Sequence, residues 1–127
     1  MTDAVAPVAV TTVLVVEDDP VLRSLATEVF EMEGYVVQSF ATADAAWAWL
    51  ADDTPPPDLL FTDVRMPGRL DGLALARQVR ERFAELPILV SSGYTGQQYA
   101  EREERALFLP KPWSIDQLLQ ACHQLGI

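Results

Sequence analysis

Basic residues are scarce in this chain: nine Lys and Arg stand against nineteen Asp and Glu, a formal net charge of −10 over 127 residues. Nucleic acids and anionic membranes are gripped by basic faces that displace counterions, so this balance excludes broad electrostatic binding to either. Cysteine occurs once, as Cys122, and cannot form an internal disulfide, which suits a reducing cytoplasmic setting. No apolar run approaches the roughly 20 residues of a membrane span, and residues 1–10 lack the basic start of a secretory signal. What is present suits a folded protein. Half the residues are hydrophobic and 22% are charged, enough to build a core. The length is that of one domain.

Residues 1–11 are small and weakly patterned, and read as a loose lead-in to a single domain over 12–127. Strand-like and helix-like segments then alternate. The run TVLVV at 12–16 is β-branched and too short for a helix, so it predicts a strand buried on both faces. Pro20 follows Asp19 as a first helical residue follows its N-cap. Leu22, Leu25, Ala26 and Val29 repeat at helical spacing, and Gly34 ends that helix. Further strands are predicted at 35–40, 58–62, 88–92 and 106–109. Helices are expected at 43–50 with Thr42 as cap, around Leu75, Ala76, Val79 and Phe83, and within 95–105. In the last helix Ser114 and Gln117 have capping-box spacing, and Trp113 and Leu118 hold the hydrophobic-staple positions. Ile115, Leu118, Leu119, Cys122 and Leu125 form its expected buried stripe. Of Trp47 and Trp49, two apart on one helix, one is expected to pack inward and the other to be partly exposed. His123, the single histidine, reads as a surface residue.

Five strands alternating with five helices predict an α/β fold, a parallel sheet covered on both faces. In such sheets the carboxyl ends of the strands converge on one ligand-binding crevice. Here those ends carry Glu17-Asp18-Asp19, Asp63, Ser91-Ser92-Gly93 and Lys111. Carboxylates crowded at one edge repel unless a proton or cation bridges them, and Mg²⁺ with oxygen ligands is the economical solution. A lysine and a serine hydroxyl at the same point add a positive charge and a donor for a transferred phosphoryl group. The supported chemistry is in-line attack by a carboxylate on a phosphoryl donor. Asp63, at the centre of the edge, is the best nucleophile.

The motifs VLVVEDDP (13–20), DLLFTDVRMPG (58–68), Asp71-Gly72, PILVSSGY (87–94) and FLPKPW (108–113) together resemble the receiver domain of bacterial two-component response regulators, of the stand-alone, chemotaxis-regulator-like kind. The resemblance runs from Thr12 to Ile127. It implies a doubly wound, flavodoxin-like five-stranded sheet in the order 2-1-3-4-5. It also implies Asp63 as the phosphoacceptor and a Mg²⁺ site built from Glu17, Asp18, Asp63 and the Arg65 backbone carbonyl. Ser92 would be the switch hydroxyl, Gly93 the small residue beside it, and Phe108 the aromatic switch. Lys111 would be the phosphate-binding lysine, with a cis bond to Pro112. Some features depart from the commonest pattern. Arg69-Leu70 lengthens the loop before Asp71 by one residue. The interval from Ser92 to Lys111 is short by a few residues where the fourth helix should lie. Arg65 and Tyr94 place bulk beside the acceptor.

The function implied is a cytoplasmic signalling switch rather than an enzyme. It takes a phosphoryl group from a sensor histidine kinase or a histidine phosphotransfer protein, and so alters its affinity for an unidentified downstream protein. A stand-alone receiver, monomeric or weakly dimeric, is expected, with a piece of a hybrid kinase as another source of such a sequence. Two rival readings remain. A degenerate receiver would serve only as a scaffold. An aspartyl-phosphate phosphatase of the haloacid dehalogenase type would need an Asp where Arg65 stands.

Overall fold

The structure, a computed structural model, describes residues 11–52, 55–66, 68–93, 97–103 and 105–127. Its strands are β1 (Thr12–Val16), β2 (Val36–Phe40), β3 (Leu59–Asp63), β4 (Ile88–Ser92) and β5 (Ala106–Pro110). Between and after them run helices α1 (Pro20–Met32), α2 (Ala43–Ala51), α3 (Gly72–Arg82), α4 (Gln97–Arg102) and α5 (Ile115–Gln124). All strand pairs are parallel and the order is β2-β1-β3-β4-β5, the doubly wound, flavodoxin-like sheet expected. Among the described residues no helix is long and apolar enough to cross a membrane.

Side chains alternate across each strand, so one β-branched run supplies two cores. Val13, Val15, Leu59, Phe61, Leu89 and Leu109 face α1 and α5, where they meet Phe30, Leu118 and Cys122. Leu14, Val16, Leu60, Ile88 and Val90 face the other way, onto Ala46, Leu50, Leu75, Val79 and Tyr99. Burying a side chain such as Phe30, fully inaccessible here, contributes about 1.5–3 kcal/mol. The helix starts follow the capping chemistry. Asp19, Thr42 and Asp71 each accept from backbone N–H groups of the first turn, and Ser114 and Gln117 form a complete capping box. Gly34 follows α1 at φ +87°, in the left-handed region that favours glycine at a helix end.

Several boundaries move by a residue. β2 starts at Val36 because the Tyr35 N–H still bonds back to the Phe30 carbonyl. β3 runs to Asp63 rather than stopping at Thr62, since Asp63 remains in register with Ser91 of β4. Ile115 is a correction: it is 49% exposed rather than part of the buried stripe. It is the first residue of α5, and the helix presses on the sheet only from Leu118 onward. Trp47 and Trp49 are both half-buried and both pack on the α2–α3 core, Trp49 with its ring 6.1 Å from that of Phe40. His123 is exposed and Cys122 buried, as expected. The fourth helix is six residues long, in keeping with the short interval. The lead-in at 1–10, Tyr94 and the start of the expected helix at Thr95 lie outside the described residues.

Candidate functional site

The parallel register brings four strand ends to one point, and the residues named from the sequence gather there. Glu17 is the residue after β1, Asp63 ends β3, Ser92 ends β4, and Lys111 follows β5. The Lys111 N–H donates to the Ser92 carbonyl at 3.0 Å, extending the β4–β5 ladder by one bond. Lys111 thereby stands over Asp63 and Glu17. Its Nζ lies 2.9 Å from Glu17 Oε1 and 3.2 Å from Asp63 Oδ2, a bridge between residues 94 apart in the chain. The Lys111–Pro112 bond is cis.

Glu17 and Asp63 are nearly buried while Asp18 is exposed. One carboxylate oxygen from each of the three lies within 4.8 Å of the others. Burial pushes the Glu17 carboxyl up to about 7, with Asp63 adding to the shift and the Asp19 N–H and Lys111 opposing it. Burial works against the charge on Lys111, but Glu17 and Asp63 outweigh it and raise the ammonium above its ordinary value. One lysine thus serves two carboxylates, and the third beside them has no cationic partner among the described residues. A compact set of oxygen donors carrying excess negative charge fits a hard divalent cation such as Mg²⁺.

The peptide around Asp63 is closely held. Its Oδ1 accepts the Val64 N–H at 2.7 Å, leaving Oδ2 turned toward Lys111. The buried Thr62 hydroxyl donates to the Asp63 carbonyl at 2.9 Å, and the Gly72 N–H donates to the Val64 carbonyl at 2.7 Å. A Cβ on Gly72 would land on the Asp63 carbonyl oxygen, so glycine is required there for close approach of α3 to the end of β3. Further out, Asp44 of α2 accepts the Arg69 N–H at 2.8 Å and anchors the longer loop. Arg65 is exposed on that loop, two residues past Asp63.

The β4 edge is built differently. Ser92 is buried, and a Cβ on Gly93 would meet nothing within 4 Å among the described residues. Phe108 pairs with Val90 and is half-buried, but it belongs to neither core cluster. Glu17, Asp18, Asp63, Ser92 and Lys111 therefore gather at one end of the sheet, with Phe108 three residues before Lys111 on β5. Sequence reasoning missed Arg23, Thr62 and Asp44 as supports. Only Arg23 left a signal, as a basic residue near a helix start.

Comparison with known proteins gives a consistent picture. The family model described as response regulator receiver domain matches residues 13–123. The C4-dicarboxylate transport transcriptional regulatory protein DctD of Rhizobium meliloti is 33% identical over 119 residues, 91% of this chain but 25% of its own length. The DNA-binding transcriptional regulator NtrC of Salmonella typhimurium is 34% identical over 108 residues, 83% of this chain and 22% of its own. The chain thus spans about a quarter of the length of these curated relatives. Among solved structures, a response regulator receiver protein from Sinorhizobium medicae superposes with a TM-score of 0.82 at 26% identity, covering 91% of this chain and 94% of that one. The receiver domain of the hybrid histidine kinase CckA gives 0.75 at 32% identity, covering 90% and 97%.

Proposed function

The chain belongs to the response regulator receiver family, and from that premise we propose that Asp63 accepts a phosphoryl group from a sensor histidine kinase or a histidine phosphotransfer protein. The observation that carries this is the placement of Asp63 Oδ2 beside the Lys111 ammonium, with Glu17 and Asp18 forming an acidic cluster around it. In the transfer a carboxylate oxygen of Asp63 bonds to phosphorus as the P–N bond to the donor imidazole breaks, and the electron pair leaves with the nitrogen. Lys111 neutralises charge developing on the phosphoryl oxygens. Glu17, Asp18, Asp63 and the Arg65 carbonyl would hold Mg²⁺, which supplies further charge neutralisation when bound.

Phosphorylation takes Asp63 from one negative charge to roughly two and adds acceptor oxygens. Ser92 and Lys111 would close on those oxygens, and Phe108 would follow into the space that Ser92 vacates. The output is a changed affinity of a protein-binding face for a downstream protein. On this reading the chain is a cytoplasmic switch that accelerates only its own phosphorylation and dephosphorylation. Its acidic surface reads no nucleic acid directly.

Intact-mass analysis after incubation with acetyl phosphate tests the reading. One added phosphoryl group is expected on the wild type with Mg²⁺, and none on Asp63→Asn or in chelator. A wild type that gains no phosphoryl group, and shows no change in melting temperature with Mg²⁺ and beryllofluoride, would overturn it.

A further inference from the structure

The acidic corner is secured from a direction that helix electrostatics disfavour. The N-terminal turn of a helix carries the positive end of the macrodipole, so a basic side chain there is ordinarily unfavourable. Arg23 nevertheless occupies the fourth position of α1 and is half-buried. Its Nη1 donates to the backbone carbonyl of Glu17 at 2.8 Å, six residues back. With that bond every hydrogen-bonding group of Glu17 is engaged from a different quarter. Its N–H donates to the Phe40 carbonyl at 3.1 Å. Its Oε1 accepts from Lys111 at 2.9 Å and its Oε2 from the Asp19 N–H at 3.1 Å.

The carbonyl that Arg23 holds belongs to the peptide plane joining Glu17 to Asp18, and that plane is rigid. Fixing its oxygen fixes where the Asp18 Cα stands. Asp18 itself is exposed, and its carboxylate makes no hydrogen bond or ion pair among the described residues. We propose that Arg23 is a positioning residue for the cation site, holding the Glu17–Asp18 peptide plane so that the Asp18 carboxylate is presented toward Asp63. The inference rests on the receiver reading above and deepens it.

Arg23 also carries a positive charge, and the two effects have opposite signs. Through space the guanidinium repels a cation, so its removal should tighten binding. Through the peptide plane it organises a ligand, so its removal should weaken binding. Titration of wild type, Arg23→Met and Arg23→Lys with Mg²⁺ by calorimetry separates them, with the melting temperature of each measured in chelator. We expect Arg23→Met to bind Mg²⁺ about tenfold more weakly, the scale seen when a group orienting a metal ligand is lost. Arg23→Lys, which keeps a donor on a long side chain, should recover much of that loss. Unchanged or tighter Mg²⁺ binding in Arg23→Met would overturn the proposal, as would a lower metal-free melting temperature with unaltered affinity. A wild type that bound no Mg²⁺ would overturn the receiver reading and this inference with it. Should Arg23→Met not fold, Arg23→Gln keeps an amide donor without the reach and carries the same expectation.

Discussion

The end of β1 and the end of β4 border the same crevice and differ in how the buried polar groups of Glu17 and Ser91 are bonded. At the β1 end all the polar groups of Glu17 have partners, drawn from β2, α1, the β1–α1 corner and Lys111. At the β4 end the fully buried Ser91 hydroxyl has no hydrogen-bond partner among the described residues. Beyond Ser92 a Cβ on Gly93 would meet none of the described residues within 4 Å. Phe108, paired with Val90 on β5, is in neither core cluster among the described residues. A switch needs both kinds of edge. One must keep like charges in place through the chemistry, and the other must be able to rearrange once the chemistry is done. Saturated hydrogen bonding gives the first, and weakly committed side chains give the second.

The largest expected effect is on the committed side. Lys111→Met leaves the nearly buried Glu17 and Asp63 carboxylates facing each other without their shared cation. We expect a loss of about 3 kcal/mol in urea unfolding at pH 8, the low end for a broken buried pair because Lys111 keeps part of its side chain in water. Adding Glu17→Gln removes one of the stranded charges and should return part of that loss. Strict additivity of the two changes would show that the bridge does not couple them.

A smaller effect is expected at the other edge. Ser91→Ala removes a buried hydroxyl that has no hydrogen-bond partner among the described residues, so stability should stay within about 0.5 kcal/mol of wild type or rise slightly. A loss well above 1 kcal/mol would mean that the hydroxyl has a partner and that the two edges are bonded alike. The smallest effect belongs to Cys122, remote from both. Burial pushes its thiol up to about 11 from the ordinary 9. The folded state therefore favours the protonated form, and the stability this confers is intact below about 9 and fades as pH rises through about 11. Native protein at pH 8 should resist iodoacetamide, and urea-unfolded protein should react readily.

The sheet, its two covered faces and the crevice were legible in the sequence because they rest on periodicity and order. TVLVV and ILVSS have strand length and composition, and each ends where a charged or hydroxyl residue begins. Asp63, Lys111 and the Glu17-Asp18 pair were legible because residue type and strand end coincide in each. Three-dimensional approach leaves no such period. Nothing local to Asp71-Gly72 says that α3 passes so near the Asp63 carbonyl that a side chain could not fit. Ile115 sits at helical spacing with Leu118 and Cys122, yet the first turn of α5 stands in water and burial begins only at Leu118. Arg23 looks like one more polar residue on an amphipathic helix until the Glu17 carbonyl is seen beneath it.

The Lys111–Glu17 bridge joins residues 94 apart in a chain of 127, one just past the first strand and the other just past the last. During synthesis Glu17, Asp18 and Asp63 are all made before Lys111 exists. The crevice cannot be completed until β5 is laid beside β4 and the final strand end reaches back across the sheet. On the proposed reading, competence to accept a phosphoryl group would therefore also report that β5 has been laid in place. A chain cut short before β5 would retain its acidic residues but lack the ammonium that bridges Glu17 and Asp63.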